Sequence, residues 1–284
     1  LISKYMEKAY PVPEHFDDYV YLTQIVQAEG IQKAFDAHNS SAPYCMGTLF
    51  WQFNDCWPSI SWSTVDYYGQ PKALYYFAKR SFKNISIASF MRQNEFNINI
   101  INHNNYSINT KLIISVKDFY GGEILSDSVI LISDLLSSTP VLIEKHLNVS
   151  IKKHCNNAYI SLKLIDINTD KLLSSRTIVT GIPLNLNLPE QNVKYQSKMD
   201  NEQWEIMLSS DVFIKDVYLI SDNVEGQFSD NYFNLLPGEK KIIKFYPQVK
   251  TNKVQIRIIS MNKIINDHSS EEILENPTDS IGNE

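Results

Sequence analysis

The 284-residue chain has few cysteines, no long apolar run and no surplus of positive charge, and each shortage removes a class of protein. Three cysteines, Cys45, Cys56 and Cys155, are too few and too scattered for a disulfide framework. They read as small buried hydrophobes, and redox compartment stays open. No Cys-x-x-Cys pair and no histidine pair at helical spacing occurs, so no zinc site is expected. Lysine and arginine number 26 against 32 aspartates and glutamates, a formal net charge of -6, and no basic stripe offsets this locally. Nucleic acid is therefore not an expected partner. No run of about 18 apolar residues is present, so no membrane span is expected. Leu1 is not a methionine, and "LISKYMEKAY" carries Lys4, Glu7 and Lys8 where a signal peptide would be apolar. We read Leu1 as an internal cut, in which case a signal peptide or an upstream domain would not be visible here.

What is present divides by texture. At roughly 100–150 residues per domain the chain is long enough for more than one core. Residues 1–83 alternate helix-like and strand-like signal, whereas 84–182 and 183–265 are short β-branched runs separated by turn residues. A frayed polar tail is expected over 266–284.

Within the first part, Asp17 or Asp18 can cap a helix over about 17–38, with Tyr19, Leu22 and Val26 on one face and a weak point at Gly30. Tyr44 to Phe53 is continuous and apolar, as in a strand buried on both faces of a parallel sheet. "GQPKALYYFAKRSF" then opens a second helix, with Pro71 at its first position and Lys79 and Arg80 at its carboxyl end. Helix, buried strand, long loop and helix together read as part of a βαβα architecture.

That order places an unusual stretch. Three of the four tryptophans, Trp51, Trp57 and Trp62, fall within "WQFNDCWPSISW", interleaved with Gln52, Asn54 and Asp55. Indoles mixed with amides and a carboxylate suit a flat, hydrogen-bonding sugar site better than an apolar core, and in α/β barrels such sites lie at the carboxyl ends of strands. Trp51 is read as ligand-facing, while Trp57 and Trp62 are read as packed core residues. Asp55 suits either a hydrogen bond to a substrate hydroxyl or the ordering of its loop. Asp66, Tyr67 and Tyr68 either wall the mouth of a pocket or turn the chain into the next helix, and the turn is preferred because Gly69 and Pro71 follow.

"YCMGTLFWQFNDCWPSISWSTVDYYGQPKALYYFAKR", with "YLTQIVQAEGI" ahead of it, closely resembles the end of the catalytic barrel of glycoside hydrolase family 2 β-mannosidases. The later "GQFSDNYFNLLPGEKKIIKF" resembles a stretch of the carboxyl-terminal β-domain of the same enzymes. The resemblance implies a multidomain, retaining enzyme that removes terminal β-D-mannose from non-reducing ends of mannose-containing glycans. It also implies that this chain holds helix seven, strand eight and helix eight of a (β/α)8 TIM barrel, followed by two immunoglobulin-like β-sandwiches. Retention requires two carboxylates about 5–5.5 Å apart, which in this family are glutamates ending strands four and seven, both expected upstream of Leu1. Glu7, Glu14 and Glu29 do not sit at the end of a buried strand. The catalytic set is thus none within this chain, and the substrate-binding role carries over to Trp51, with Asn54 and Asp55 more weakly. No metal or organic cofactor is implied. The missing amino-terminal domains of the same chain are the implied partner, and the substrate class favours a periplasmic or secreted location. The alternative is a non-catalytic carbohydrate-binding or interaction module. A β-galactosidase or β-glucuronidase of the same clan is disfavoured by the dense match.

The remaining two thirds reads as sandwich. "NEFNINIIN", "TKLIISVKDF", "EILSDSVILI", "VLIEKHLNV", "AYISLKLID" and "KLLSSRTIVT" are strand-like runs at immunoglobulin density. "PLNLNLPEQN" reads as a linker, and "QWEIMLSS", "IKDVYLISD", "GQFSDNYFNLLPGEKKIIKFY" and "KVQIRIIS" as a second, smaller sandwich with a turn at Pro237-Gly238. Trp204 alternates with Ile206 and Leu208 and is assigned to its core.

Overall fold

The computed structural model describes residues 2–93 and 95–267. A short helix α1 (Ile2–Met6) precedes a 25-residue helix α2 (Phe16–Ser40), and α3 (Ala73–Ser81) follows a long non-helical stretch. Gly30 does not interrupt α2. A methyl group added there would meet nothing within 4 Å, so this glycine lies on an open helix face. The second helix starts at Ala73 rather than at Pro71, because Pro71 is bridged to Val65 and thereby held in extended chain.

The first sandwich has seven strands. β1 (Ile85–Arg92), β2 (Glu95–Asn102) and β5 (Ser137–Val141) form one sheet in the order β1-β2-β5. The other runs β4-β3-β6-β7, from β3 (Ile108–Asp118), β4 (Glu123–Ser133), β6 (Ala158–Asp166) and β7 (Lys171–Ile178). All pairings are antiparallel. The two inner faces meet in a core that includes Ile98, Ile100, Leu112, Ile114, Leu162 and Leu164. "VLIEKHLNV" is not one strand: β5 ends at Val141 and a helix α4 (Lys145–Lys153) follows. The helical period wins because Leu147 and Ile151, four apart, bury together against that core while Lys152 and Lys153 end the helix in solvent.

The second sandwich comprises β8 (Lys194–Asp200), β9 (Gln203–Ser209), β10 (Ile214–Ser221), β11 (Gly226–Phe228), β12 (Phe233–Leu235), β13 (Lys240–Pro247) and β14 (Ile256–Ile259). Its sheets run β11-β13-β9-β8 and β12-β10-β14. Trp204 is buried with Ile206, Leu208 and Phe245 in its core. The turn after β12 places Gly238 at φ +72°, a left-handed conformation that glycine adopts without strain. A helical stretch from Met261 to Asp267 ends the described chain, so Asn266 and Asp267 are ordered, and the rest of the expected tail lies outside the described residues.

A third core lies between the parts. Tyr21, Leu22, Ile25, Ala28 and Phe35 of α2 and Leu74 and Tyr76 of α3 pack with Phe119, Tyr159, Phe213, Tyr232 and Met261 of the sandwiches. Leu186 and Leu188 of the expected linker are buried in it as well. Phe213 stacks between Phe119 and Tyr159 at centroid distances of 5.4 and 4.8 Å, and its backbone N–H donates to the Phe119 carbonyl, which joins the two sandwiches directly.

Candidate functional site

The buried strand expected over Tyr44–Phe53 is not a strand. Its backbone has no sheet partner, and apart from the Cys45 N–H no backbone N–H of residues 45–53 donates a hydrogen bond among the described residues. A strand needs paired neighbours, and the described chain supplies none alongside this one. Side-chain alternation nonetheless survives. Phe50 turns inward, 5.8 Å from the Phe35 ring of α2 and 6.4 Å from Phe82, while Leu49 and Trp51 are 100% and 76% exposed on the other side. Tyr44, Met46 and Phe53 are exposed too.

The following turn is tightly built around Asp55. Its backbone N–H donates to the Val65 carbonyl at 3.1 Å. Its Oδ1 accepts from Ser61 Oγ and, at 3.5 Å, from Gln52 Nε2; its Oδ2 accepts from Ser63 Oγ at 2.7 Å and Lys72 Nζ at 3.0 Å. Lys72 also donates to Ser63 Oγ at 2.6 Å. Hydrogen bonds from Ser61 and Ser63 lead the stabilisation of the carboxylate and, with Lys72, outweigh the penalty of burial, holding its pKa down to about 2. Both oxygens of Asp55 are thus occupied from within the loop. Backbone clips reinforce this: the Thr64 and Val65 N–H groups donate to Phe53 O, and the Lys72 N–H donates to Thr64 O.

Asn54 is exposed beside this cluster, bridged to Val65, with its Nδ2 donating to the Asp55 carbonyl at 3.2 Å. Trp51 is one residue before Gln52, and the peptide bond between them is cis. Trp57 and Trp62, expected in a core, are 65% and 68% exposed: Gln27 Nε2 of α2 holds the arch over 56–62 by the Trp62 carbonyl at 2.9 Å, but the indole side chains stand in solvent. Asp66 organises a turn rather than a helix cap: its Oδ1 accepts from the Tyr68 and Gln70 N–H groups at 2.9 and 2.8 Å. The first N–H of α3, on Ala73, is met by Gln24 Oε1 of α2 instead. Tyr67 and Tyr68 stand exposed in an edge-to-face pair.

Ionic contacts fix the helices beneath this loop. Lys215, at the start of β10, donates to Glu29 of α2 at 2.7 Å and to Asp216, and Tyr10 donates to the other oxygen of Glu29. Burial opposes the Lys215 ammonium, but Asp216 and Glu29 outweigh it and hold its pKa above the ordinary lysine value. Burial likewise opposes the Glu29 carboxylate, yet Lys215 and Tyr10 keep its pKa below the usual range. Asp216 is raised by burial and by the neighbouring Glu29. Arg80 of α3 reaches Asp230 at 2.7 Å and the carbonyls of Asn231 and Tyr232, so the helix end that complements the dipole by charge also grips the second sandwich.

Lys72, Ser61 and Ser63 escaped sequence reading, although one signal was present. A lysine at the amino end of a helix opposes the dipole and invites a carboxylate partner. Among the described residues no group of three His, Cys, Asp or Glu side chains could hold a metal ion, and no helix is long and apolar enough to cross a membrane.

Residues 188–264 match an Ig-fold domain family of mannosidases. β-Mannosidase B of Thermothelomyces thermophilus is 24% identical over 273 residues, covering 88% of this chain and 32% of that protein. The β-mannosidase of Mus musculus is 26% identical over 255 residues, covering 85% and 29%. Among solved structures, the β-D-mannosidase of Dictyoglomus thermophilum superposes with a TM-score of 0.74 at 24% identity, covering 91% of this chain and 31% of that one. An exo-chitosanase of Amycolatopsis orientalis gives 0.68 at 16% identity, covering 92% and 36%, so the fold reaches beyond mannosidases. The chain spans about a third of the length of the relatives it matches. Over most of its length the chain is thus similar to about a third of a β-mannosidase, and residues 188–264 match the Ig-fold domain of mannosidases.

Proposed function

We propose that this chain is the carboxyl-terminal portion of a retaining exo-β-mannosidase that hydrolyses terminal non-reducing β-D-mannose. In this reading α2 and α3 are the last two helices of the (β/α)8 barrel, residues 44–53 are its eighth strand, and the sandwiches brace the barrel from outside. The acid/base and nucleophile glutamates belong to the part upstream of Leu1, and the chain alone is inactive. Trp51 stacks on the sugar, Asn54 meets a hydroxyl, and Asp55 contributes by fixing the turn between them.

One observation carries the reading: Phe50 is seated on the helices while Leu49 and Trp51 face away from them with nothing above. A segment layered on helices on one side and bare on the other is what the wall of an unclosed barrel would present, with the interior on the bare side, and this supports the reading. The names of the relatives supply the sugar.

The test is hydrolysis of a chromogenic β-mannoside by this chain and by the chain extended upstream to a full barrel. Activity only in the extended chain supports the reading. Activity in neither would favour a glycan-binding or interaction module, and activity in the short chain would overturn the assignment of both carboxylates to the upstream part.

A further inference from the structure

We propose that Lys72 is the positioning residue of the sugar-facing turn, holding Trp51 and Asn54 in register through Asp55 and Ser63. The inference rests on the proposed function, since it assigns Lys72 a purpose at that same site.

The chain of contacts is short. Lys72 is the N-cap residue of α3, which packs on both α2 and the second sandwich, so its backbone is anchored to the rigid part of the molecule. Its ammonium reaches back to Asp55 Oδ2 at 3.0 Å and to Ser63 Oγ at 2.6 Å, and Ser63 Oγ donates to the same carboxylate oxygen at 2.7 Å. These three groups make a closed triangle. The Lys72 side chain is 17% exposed and that of Asp55 3%, so the pair is shielded from water in a way a surface ion pair is not. From Asp55 the order passes to Gln52, whose Nε2 donates to the Asn54 carbonyl at 3.0 Å and lies 3.5 Å from Asp55 Oδ1. Trp51 and Asn54 flank that contact.

The arrangement answers a mechanical problem. Residues 44–53 are tied to the helices by Phe50 and by a His38–Thr48 hydrogen bond at 3.0 Å, and the exposed arch 56–62 by Gln27 Nε2 of α2 donating to the Trp62 carbonyl at 2.9 Å, so none of these ties is charged. Without a charged tie to α3, the turn between them would be held only by neutral donors: the Thr64 and Val65 clips to Phe53 O, the Ser61 and Ser63 hydroxyls on Asp55, and the Lys72 N–H on Thr64 O. A site residue displaced by about 1 Å can lose on the order of a hundredfold in rate, so a tie of this kind matters for turnover more than for folding.

The experiment places Lys72→Met, Lys72→Arg, Ser63→Ala and Trp51→Ala in the whole enzyme and follows kcat and KM for a chromogenic β-mannoside, together with melting temperature. We expect Lys72→Met to lose roughly 10- to 100-fold in kcat/KM, with melting nearly unchanged. Lys72→Arg should recover part of that loss by restoring a charged donor, and Ser63→Ala should lose several-fold. Ser63→Ala serves if Lys72→Met does not fold. Lys72→Met, or Ser63→Ala in its place, that melts lower but keeps kcat/KM within twofold would make Lys72 a stability residue and overturn the inference. Trp51→Ala separates the two failures: an impaired Trp51→Ala beside an unimpaired Lys72→Met removes only the role of Lys72, whereas an unimpaired Trp51→Ala removes the site itself.

Discussion

Arg176 of β7 and Asp36 of α2 form a two-point ion pair, Nη1 to Oδ1 at 2.7 Å and Nη2 to Oδ2 at 2.6 Å, so one guanidinium ties the first sandwich to the longest helix. Arg176 also donates to the Ile87 carbonyl of β1. The Asp36 side chain is 5% exposed, so removing its partner strands a charge away from water. Arg176→Met should therefore destabilise by about 3–5 kcal/mol, and pairing it with Asp36→Leu should recover much of the loss. Denaturant unfolding of the four species of this cycle measures the coupling. An Arg176→Met loss under about 1 kcal/mol would assign the pair the small value of a surface bridge.

Lys215 stands in a comparable position at the second sandwich, with two carboxylates instead of one. In the parent, Glu29 is depressed and contributes stability that is present above its ordinary pKa and lost as pH falls through its folded value. Lys215→Met removes the cation, so the folded-state values of Glu29 and Asp216 both rise. The folded variant then binds more protons than its unfolded chain and recovers stability as pH falls. The deficit of Lys215→Met should be largest near neutral pH and shrink toward pH ~5. Melting curves across that range decide it, and a deficit that grew on acidification would contradict the assigned ionisation states.

Asp55 differs in being tied mainly by hydroxyls. Asp55→Asn replaces the charge-assisted bonds from Lys72, Ser61 and Ser63 with neutral ones and should open the turn by about 1–3 kcal/mol, the scale of hydrogen bonds to a charged group. Faster hydrogen exchange at the Thr64 and Val65 N–H groups, which donate to Phe53 O, reports this opening. The sign follows from a depressed carboxylate: the parent's advantage is full above its unfolded pKa of 3.8 and lost as pH falls through about 2. Equal exchange in parent and variant near neutral pH would show that the backbone clips suffice alone.

Sequence pattern revealed the sandwiches because most of their strands are short apolar, β-branched runs bounded by turn residues. β6 coincides with "AYISLKLID", and Trp204 alternates with its buried neighbours as read. β8, "KYQSKMD", escaped because it is almost wholly exposed and carries no apolar run; β1, "ISIASFMR", carries one and was legible but not read. α4 is hard to see because no Gly or Pro separates it from β5, so the apolar Val141, Leu142, Ile143, Leu147 and Val149 of "VLIEKHLNV" read as one strand. Around the candidate site, the residue types were legible and their partners were not. Asp55 pairs with a lysine 17 positions on, and nothing local in sequence fixes which of several lysines closes that loop. Trp57 and Trp62 were assigned to a core on composition alone, where exposure depends on what covers the arch.

Residues 44–53 are the part of the chain whose stability depends most on what lies beside it. Phe50 packs on Phe35 and Phe82, but Tyr44, Leu49, Trp51 and Phe53 are exposed, and the backbone between Met46 and Phe53 donates no hydrogen bond among the described residues. Local opening is cheap where few apolar contacts and few protected N–H groups must be broken. In this chain alone, the segment should exchange its amide hydrogens within the first time points and be the first site of limited proteolysis, with α2 and β9 still protected. Joining the upstream part should slow both by pairing this segment on its two edges, which would also bury Leu49 and Trp51. Strong protection of 44–53 in a monodisperse monomer of the isolated chain would remove the unpaired strand from this account, and with it the main structural support for an open barrel wall.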